Sequence, residues 1–282
     1  MIVVTGATGT VGRAVVDQLL ATGVEVRAVT RRPQGAGLPP EVEVVRADLG
    51  EAEGLADAVA GADRLFLLSA GPDLARHDEH AAEAAAHAGV PHIVKLSSGR
   101  AGDAAATDPI PTWHRAGERA VRAAGTAWTM IRPLGFMSNA LHWAPTIRAH
   151  DTVYAPYGQG RIAVVDPHDI AAVATKSLTE PGHEGRTYTL SGPRALSPGE
   201  QTEILAGMLG RPLRYAETTP EQARAALVGF GVDAEMADAI MALRATALES
   251  FTARVHPAVE EVTGRPPRSF LEWARENRAR FE

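Results

Sequence analysis

Gly6, Gly9 and Gly12 recur at three-residue spacing between a β-branched run (Ile2, Val3, Val4) and an apolar helical stripe through Val15, Val16, Leu19 and Leu20. That order predicts a strand, a tight turn and a helix. The unpaired N–H groups and positive end of such a helix suit a pyrophosphate. Gly6 permits the turn, Gly9 lets the backbone approach the phosphates, and Gly12 lets the helix pack on the strand.

The next chemistry-bearing residues fall where later strands should end. A site that prefers NAD carries an acidic residue about twenty positions past the glycines, to hold the ribose 2′-hydroxyl. Here that stretch reads Val29-Thr30-Arg31-Arg32-Pro33, with two guanidiniums and no carboxylate. Arg31 and Arg32 suit a 2′-phosphate, which arginine holds through paired, charge-assisted hydrogen bonds, and the expected cofactor is NADPH. The alternative is a solvated arginine pair in a loop. Asp48 and Leu49 lie where an adenine would rest; Asp48 serves either as its acceptor or as the N-cap of a helix beginning near Glu51. Ser69, Ala70 and Gly71 give small residues beside a ribose, and Ser97 stands at the same edge.

The elements that must position these residues alternate strand and helix. Strands are expected at 24–29, 42–46, 64–68, 92–96 and 128–132, with helices at 51–60, 73–88 and 113–124. Six short apolar strands interleaved with helices predict an α/β fold with a doubly wound parallel sheet of Rossmann type. Regularity weakens over 134–160, a strand is expected at 162–165, and Asp166-Pro-His-Asp169 opens a helix as N-cap and first turn. Another strand is expected at 187–190. Helices are expected at 198–209, 220–228, 234–251 and 269–281, forming a smaller, mainly helical cap over the carboxyl edge of the sheet. The expected division is a dinucleotide-binding domain over 1–155, to which 161–191 returns, and a substrate-cleft domain from 134–160 and 192–282.

Composition narrows the classes. The chain has 282 residues, 45% hydrophobic, a net charge of −6 and no cysteine. Disulfides, thiolate metal sites and a cysteine nucleophile are excluded, no metal site is expected, and redox chemistry falls to a cofactor. The acidic balance argues against a nucleic-acid partner, and no apolar run approaches the roughly 20 residues that span a bilayer. With a strand starting at Met1, a cytoplasmic address is expected. The abundance of Ala, Gly and Arg points to a GC-rich bacterial genome.

Several stretches together resemble a known family. Thr5-Gly-Ala-Thr-Gly-Thr-Val-Gly12, Ala47-Asp48-Leu49, residues 88–98, Thr129-Met-Ile-Arg-Pro133 with Phe136-Met-Ser-Asn139, residues 166–171 and Gly264-Arg-Pro-Pro-Arg-Ser-Phe270 are similar to the atypical short-chain dehydrogenase/reductases. The branch is the NmrA-like one, with the triphenylmethane and quinone reductases. The resemblance implies an NADP(H)-binding Rossmann domain with a small C-terminal domain forming the substrate cleft. By position it places Thr8, Gly9, Thr10 and Val11 on the pyrophosphate and Arg31 and Arg32 on the 2′-phosphate. It places Ser69, Ala70 and Gly71 by the ribose, and Pro133, Leu134, Gly135 and Phe136 beside the nicotinamide.

One departure bears on mechanism. Standard members carry Tyr-x-x-x-Lys on the helix after the fifth strand; here it reads Trp113-His114-Arg-Ala-Gly-Glu118. His114 and Glu118 lie one turn apart, either as a proton donor whose pKa the carboxylate raises or as a surface pair. Tyr157, Tyr154 and His142 are alternative donors or simply wall residues. Without the usual acid, hydride transfer is better matched to quinones, enones, dyes and other acceptors that delocalise charge. The expected activity is therefore an NADPH-dependent reductase of a small conjugated or aromatic molecule, such as a secondary-metabolite intermediate. The alternative is an NADP-binding redox sensor without turnover. A homodimer is compatible with the sequence but not specified by it.

Overall fold

The computed structural model describes residues 1–282. In chain order the regular elements begin with β1 (Ile2–Thr5), α1 (Thr10–Ala21), β2 (Val26–Thr30), β3 (Glu43–Arg46), α2 (Leu55–Val59), β4 (Arg64–Leu67), α3 (Leu74–His87), β5 (His92–Leu96), α4 (Pro109–Ala123) and β6 (Ala127–Pro133). They continue with α5 (Ala144–His150), β7 (Thr152–Ala155), α6 (Pro167–Thr179), β8 (Arg186–Leu190), α7 (Pro198–Leu209), β9 (Arg214–Glu217), α8 (Pro220–Gly229), α9 (Ala234–Ala245), α10 (Ala258–Thr263) and α11 (Phe270–Glu276). No helix is long and apolar enough to cross a membrane.

The chain divides into two compact units, and the first comprises Met1–Ala104, Pro111–Pro133 and Pro167–Thr189. Its seven-stranded sheet has the order β3-β2-β1-β4-β5-β6-β8. The pairings among β1 to β6 are parallel, with Ile2 opposite both Val26 and Arg64, and Leu65 opposite Ile93. This is the doubly wound Rossmann arrangement. All residues of β1 and β5 are buried, as central parallel strands covered on both faces must be. Val3, Leu65, Leu67, Ile93 and Met130 share one core with Ala81, Ala82 and Ala85 of α3, whose small side chains let that helix lie close. The strand order reverses between β1 and β4, and crevices at such switch points bind ligands in this architecture. There the Thr5 hydroxyl accepts from Leu68 N at 2.8 Å and donates to Leu68 O at 3.0 Å, stitching the two strand ends together.

The second unit comprises Ala105–Ile110, Leu134–Asp166 and Leu190–Glu282. It is mainly helical, with one two-stranded parallel sheet of β7 and β9. Its core joins Ile147, Val153, Leu205 and Met208 to Phe270, Trp273 and Phe281. Ser197, Thr219 and Ser269 each open a helix through a capping box, with Glu200, Gln222 and Glu272 as the reciprocal partners.

Some elements differ from the sequence expectation. The segment 134–160 is more regular than its pattern suggests, since it holds a 3₁₀ turn at Met137–Trp143, then α5 and β7. The strand expected at 162–165 is reduced to two isolated bridges, Ile162 with Leu196 and Phe136 with Val165, and belongs to the second unit. The helix expected from residue 51 begins at Leu55, and the one expected over 234–251 ends at Ala245.

Candidate active site

α1 starts at Thr10 with Gly9 as an extended N-cap, and neither a side-chain cap nor an acidic residue occupies its first turn. The N–H groups of Thr10, Val11 and Gly12 therefore have no intrahelical acceptor, and the positive helix end is left open to an anion. The turn that exposes them is closed by Gly9 N donating to Gly6 O at 3.0 Å. Gly6 has φ of +63°, and a Cβ on Gly12 would lie 2.1 Å from Gly6 O, so neither position admits a side chain without rebuilding the turn. Arg13 donates through Nε to Thr8 O at 3.1 Å and through its Nη atoms to Gly37 O and Ala36 O at 2.7 Å each, fastening the next loop to the turn. Arg31 and Arg32 are exposed where β2 ends, and neither forms an ion pair. Open N–H groups, two free guanidiniums and no acid at the end of β2 fit a dinucleotide with a 2′-phosphate.

Asp48 Oδ1 accepts from Gly50 N at 2.9 Å, closing a local turn. It does not cap a helix, because α2 begins only at Leu55 with Gly54 as its N-cap. Ser69 and Ser97 stand at their expected strand ends, but both hydroxyls are committed inward. Ser69 Oγ donates to Asp78 Oδ1 at 2.6 Å, and Ser97 Oγ donates to Glu118 Oε1 at 2.6 Å. Beside β4 and β5, then, neither serine hydroxyl is free to donate elsewhere. Gly71 (φ +94°) turns the chain after Ala70, which is exposed.

The expected couple of His114 and Glu118 does not form. Glu118 is 1% exposed and belongs to the arginines: Arg132 donates to both carboxylate oxygens at 2.7 and 2.5 Å, and Arg122 lies 3.2 Å away. Burial alone would push its carboxyl up, but the hydrogen bonds from Arg132 and Ser97 and the charges of Arg132 and Arg122 hold it below the ordinary range. His114 is driven well below its ordinary value by burial and then by the Lys95 charge, so Glu118 does not raise it. Its Nδ1 has no hydrogen-bond partner. At neutral pH the ring is uncharged and can share a hydrogen bond, but it is not an imidazolium acid.

Lys95 and Asp78 are residues that the sequence reading passed over. The Lys95 ammonium meets Asp78 Oδ2 at 2.5 Å, with both side chains fully buried, and donates to Leu96 O at 3.1 Å. Gly117 makes room: a Cβ there would stand 1.9 Å from Asp78 Oδ2. The signal was available, since a lysine inside the apolar strand 92–96 and an aspartate inside an Ala-rich helix must each find a buried partner.

Within the second unit a cavity of about 260 Å³ is lined mainly by apolar groups, among them Phe136, Trp143, Tyr154, Ile162 and Leu227. Gly135, Phe136, His142, Tyr154 and Tyr157 all reach it, so three of the alternative donors share one wall. Tyr157 is held at φ +60°, rare for a bulky residue, by a tight turn in which Gly160 N donates to Tyr157 O at 2.8 Å. Arg244 and Thr218 also line this cavity, and the sequence reading missed both. Arg244 could have been noticed: its helical neighbours three and four positions away are Ile240, Met241, Ala247 and Leu248, none of which can neutralise it.

Known proteins place this geometry. Residues 6–181 match the NAD(P)H-binding family. The chain is 44% identical over its whole length to (4-alkanoyl-5-oxo-2,5-dihydrofuran-3-yl)methyl phosphate reductase of Streptomyces griseus, covering 99% of that protein. It is 37% identical, again over its whole length and 99% of the other protein, to NAD(P)H azoreductase of Xenophilus azovorans. Among solved structures, the NADPH complex of an NADPH-dependent quinone oxidoreductase from Escherichia coli superposes with a TM-score of 0.85 at 27% identity, covering 98% of this chain and 99% of that one. The matched segment runs from Gly6 of the glycine turn through β2 to β6, and both of these full-length relatives are reductases by name. The chain belongs to the NAD(P)H-binding oxidoreductases, on the NmrA-like, quinone-reductase branch of the atypical short-chain dehydrogenase/reductases.

Proposed function

We propose that this protein is an NADPH-dependent reductase that adds a hydride and a proton across a small conjugated acceptor: an enone-like unsaturated lactone, a quinone or an azo compound. The observation that carries the reading is an aromatic-walled cavity of about 260 Å³ in a chain whose other unit presents an open helix end beside two unpaired arginines. The N–H groups of Thr8 to Gly12 cradle the pyrophosphate, and Arg31 and Arg32 take the 2′-phosphate. Asp48 and Leu49 border the adenine. The backbone at Ser69, Ala70, Gly71 and Ser97 borders the ribose, and Pro133 to Phe136 border the reactive ring. Bound there, the dinucleotide supplies the hydride.

The side chains do little acid–base work in this reading. Glu118 is locked to Arg132 and His114 is uncharged, so no strong acid stands ready for an alkoxide. A conjugated acceptor needs none, because the incoming charge spreads over its oxygens or nitrogens and is protonated from solvent. Phe136, Trp143 and Tyr154 would hold its flat face and exclude water, which leaves positioning as the main contribution to rate. Tyr157 belongs to this wall. The expected assembly is compatible with a homodimer, and the expected partners are small molecules.

Following NADPH absorbance with purified protein and a panel of quinones, unsaturated lactones, azo dyes and simple ketones tests this reading. Turnover of the conjugated compounds and not the ketones is expected. Faster reduction of simple ketones would overturn the positioning mechanism, and no turnover across the panel would leave a dinucleotide-binding protein.

A further inference from the structure

The cavity of the second unit is electrostatically one-sided. Its lining contains no aspartate or glutamate, and Arg244 is its one residue with a permanent charge. Several arginines of this unit have a carboxylate partner: Arg161 has Glu200, Arg211 has Asp151, Arg224 has Asp238 and Arg268 has Asp166. Arg244 has no such partner. Burial pulls its pKa down, and the one group opposing that pull is the Tyr157 hydroxyl, not a carboxylate. A guanidinium taken this far out of water without a counter-ion is costly unless a ligand supplies one.

A second observation points the same way. Thr218 Oγ1, on the same wall, is buried with no hydrogen-bond partner. Gln222 also lines the cavity; its Oε1 accepts from Thr219 N at 3.0 Å, which leaves its NH₂ as a donor. The polar equipment of the cavity thus includes a guanidinium, a hydroxyl and an amide NH₂, all able to donate and none balanced by a negative charge. Asn139, His142 and Gln201 add uncharged polar groups, and the rest of the wall is mainly aromatic and aliphatic.

We propose that this cavity takes a conjugated substrate bearing an oxyanion, of the phosphate-monoester or sulfonate type. Arg244 is the counter-ion, Thr218 and Gln222 are further donors, and the conjugated part lies among Phe136, Trp143 and Tyr154. The inference rests on reading this cavity as the substrate site and specifies what that site selects. Arg244 touches the substrate's charged end and takes no part in hydride transfer.

The test compares matched acceptors: a hydroxymethyl enone with its phosphate monoester, and 1,4-naphthoquinone with its 2-sulfonate. For the wild type, kcat/KM is expected to favour the anionic member of at least one pair, and the pair that responds identifies the anion. Arg244→Met should lower the anionic-to-neutral ratio by about 10- to 100-fold, the usual worth of hydrogen bonds to a charged group, mostly through KM. Arg244→Lys should recover part of it. Binding is read independently by titrating phenyl phosphate and benzenesulfonate against the fluorescence of Trp143, which lines the cavity; neither compound can be reduced by hydride. Loss of that response in Arg244→Met supports the site even if no acceptor turns over, the outcome that would sink the reductase reading alone. An unchanged ratio, an equal loss for both members, or a rise confined to the KM for NADPH would overturn the anion subsite.

Discussion

The two units treat buried polarity in opposite ways. In the first, every charge taken out of water near the strand ends is answered from within the chain: Lys95 by Asp78, and Glu118 by Arg132, Arg122 and Ser97. In the cavity of the second, Arg244 and Thr218 are left unanswered. A neutralised network cannot bind anything, because its hydrogen bonds are already made. It can fix where backbone stands, and here it pins the ends of β4, β5 and β6. The unanswered groups are the ones with free energy left to give to a ligand.

The strongest way to break this contrast is to remove one half of the internal pair. Asp78→Ala strands the Lys95 ammonium in a site with no exposure, and breaking a buried pair costs about 3–5 kcal/mol. Urea unfolding should show that loss, with a wide drop in Tm. The double variant Asp78→Leu with Lys95→Met should recover most of it, since apolar replacements of similar volume leave no unpaired charge. A single-variant loss below about 1 kcal/mol, the range of an exposed ion pair, would mean the pair is solvated and the contrast false.

A second challenge concerns charges that are exposed in the first unit and still assigned to a ligand. Replacing both Arg31 and Arg32 with alanine should weaken NADPH by about 100-fold in Kd while moving NADH by only a few-fold, because the 2′-phosphate alone distinguishes them. Equilibrium titration of both nucleotides checks it. Equal losses would place the arginines on some shared part of the cofactor.

How much of this could be read in the chain depends on how local each signal is. The glycine turn, Arg31 and Arg32 were legible because strand, turn and helix are consecutive, so spacing alone carries the geometry. The order of the sheet followed from alternation. The pairing of Asp78 with Lys95 was not read, since it joins α3 to β5 across the sheet, and Glu118 was given to His114 because one helical turn separates them in sequence. Tertiary contacts won: Arg132 on β6 holds Glu118 far more tightly than a helical neighbour could. α5 and β7 were missed because their apolar residues, Ile147 and Val153 among them, pack against α7 and α11 in a pattern that no local period reveals.

Buried histidines give a smaller, graded test. His92 is held neutral by burial and by Arg64, which bring its pKa from 6.5 to about 4. Between those values the unfolded chain binds a proton that the folded chain refuses. The stability His92 contributes is therefore complete above pH 6.5 and falls as the pH drops toward 4. His114, also depressed, adds to the same slope. Glu118 works through a lower window: its carboxyl is held below the ordinary value, so its contribution is present above about pH 4.5 and is lost as pH falls through its folded value. Unfolding free energies measured from pH 7 to 4 should decline, and His92→Gln should flatten the upper part of that decline. An unchanged slope would show the ring to be solvated.

The smallest effect decides whether the first unit contributes an acid at all. His114 is held uncharged at neutral pH by burial and by the Lys95 charge, and its buried Nδ1 has no hydrogen-bond partner within the chain. As a neutral hydrogen-bonding group it should matter modestly: His114→Phe should lower kcat/KM for a quinone by no more than about 10-fold, the worth of one uncharged hydrogen bond. The shape of the pH profile near neutrality should stay the same, because the ring is already uncharged there. His114→Gln, which keeps a hydrogen-bonding end, should recover part of the loss. The opposite pattern is equally readable: a limb near pH 6.5 present in the wild type and absent in His114→Phe would mean that cofactor or substrate lifts the ring back into range. The first unit would then hold a working acid, and the division between a saturated scaffold and a ligand-answered cavity would fail at that residue.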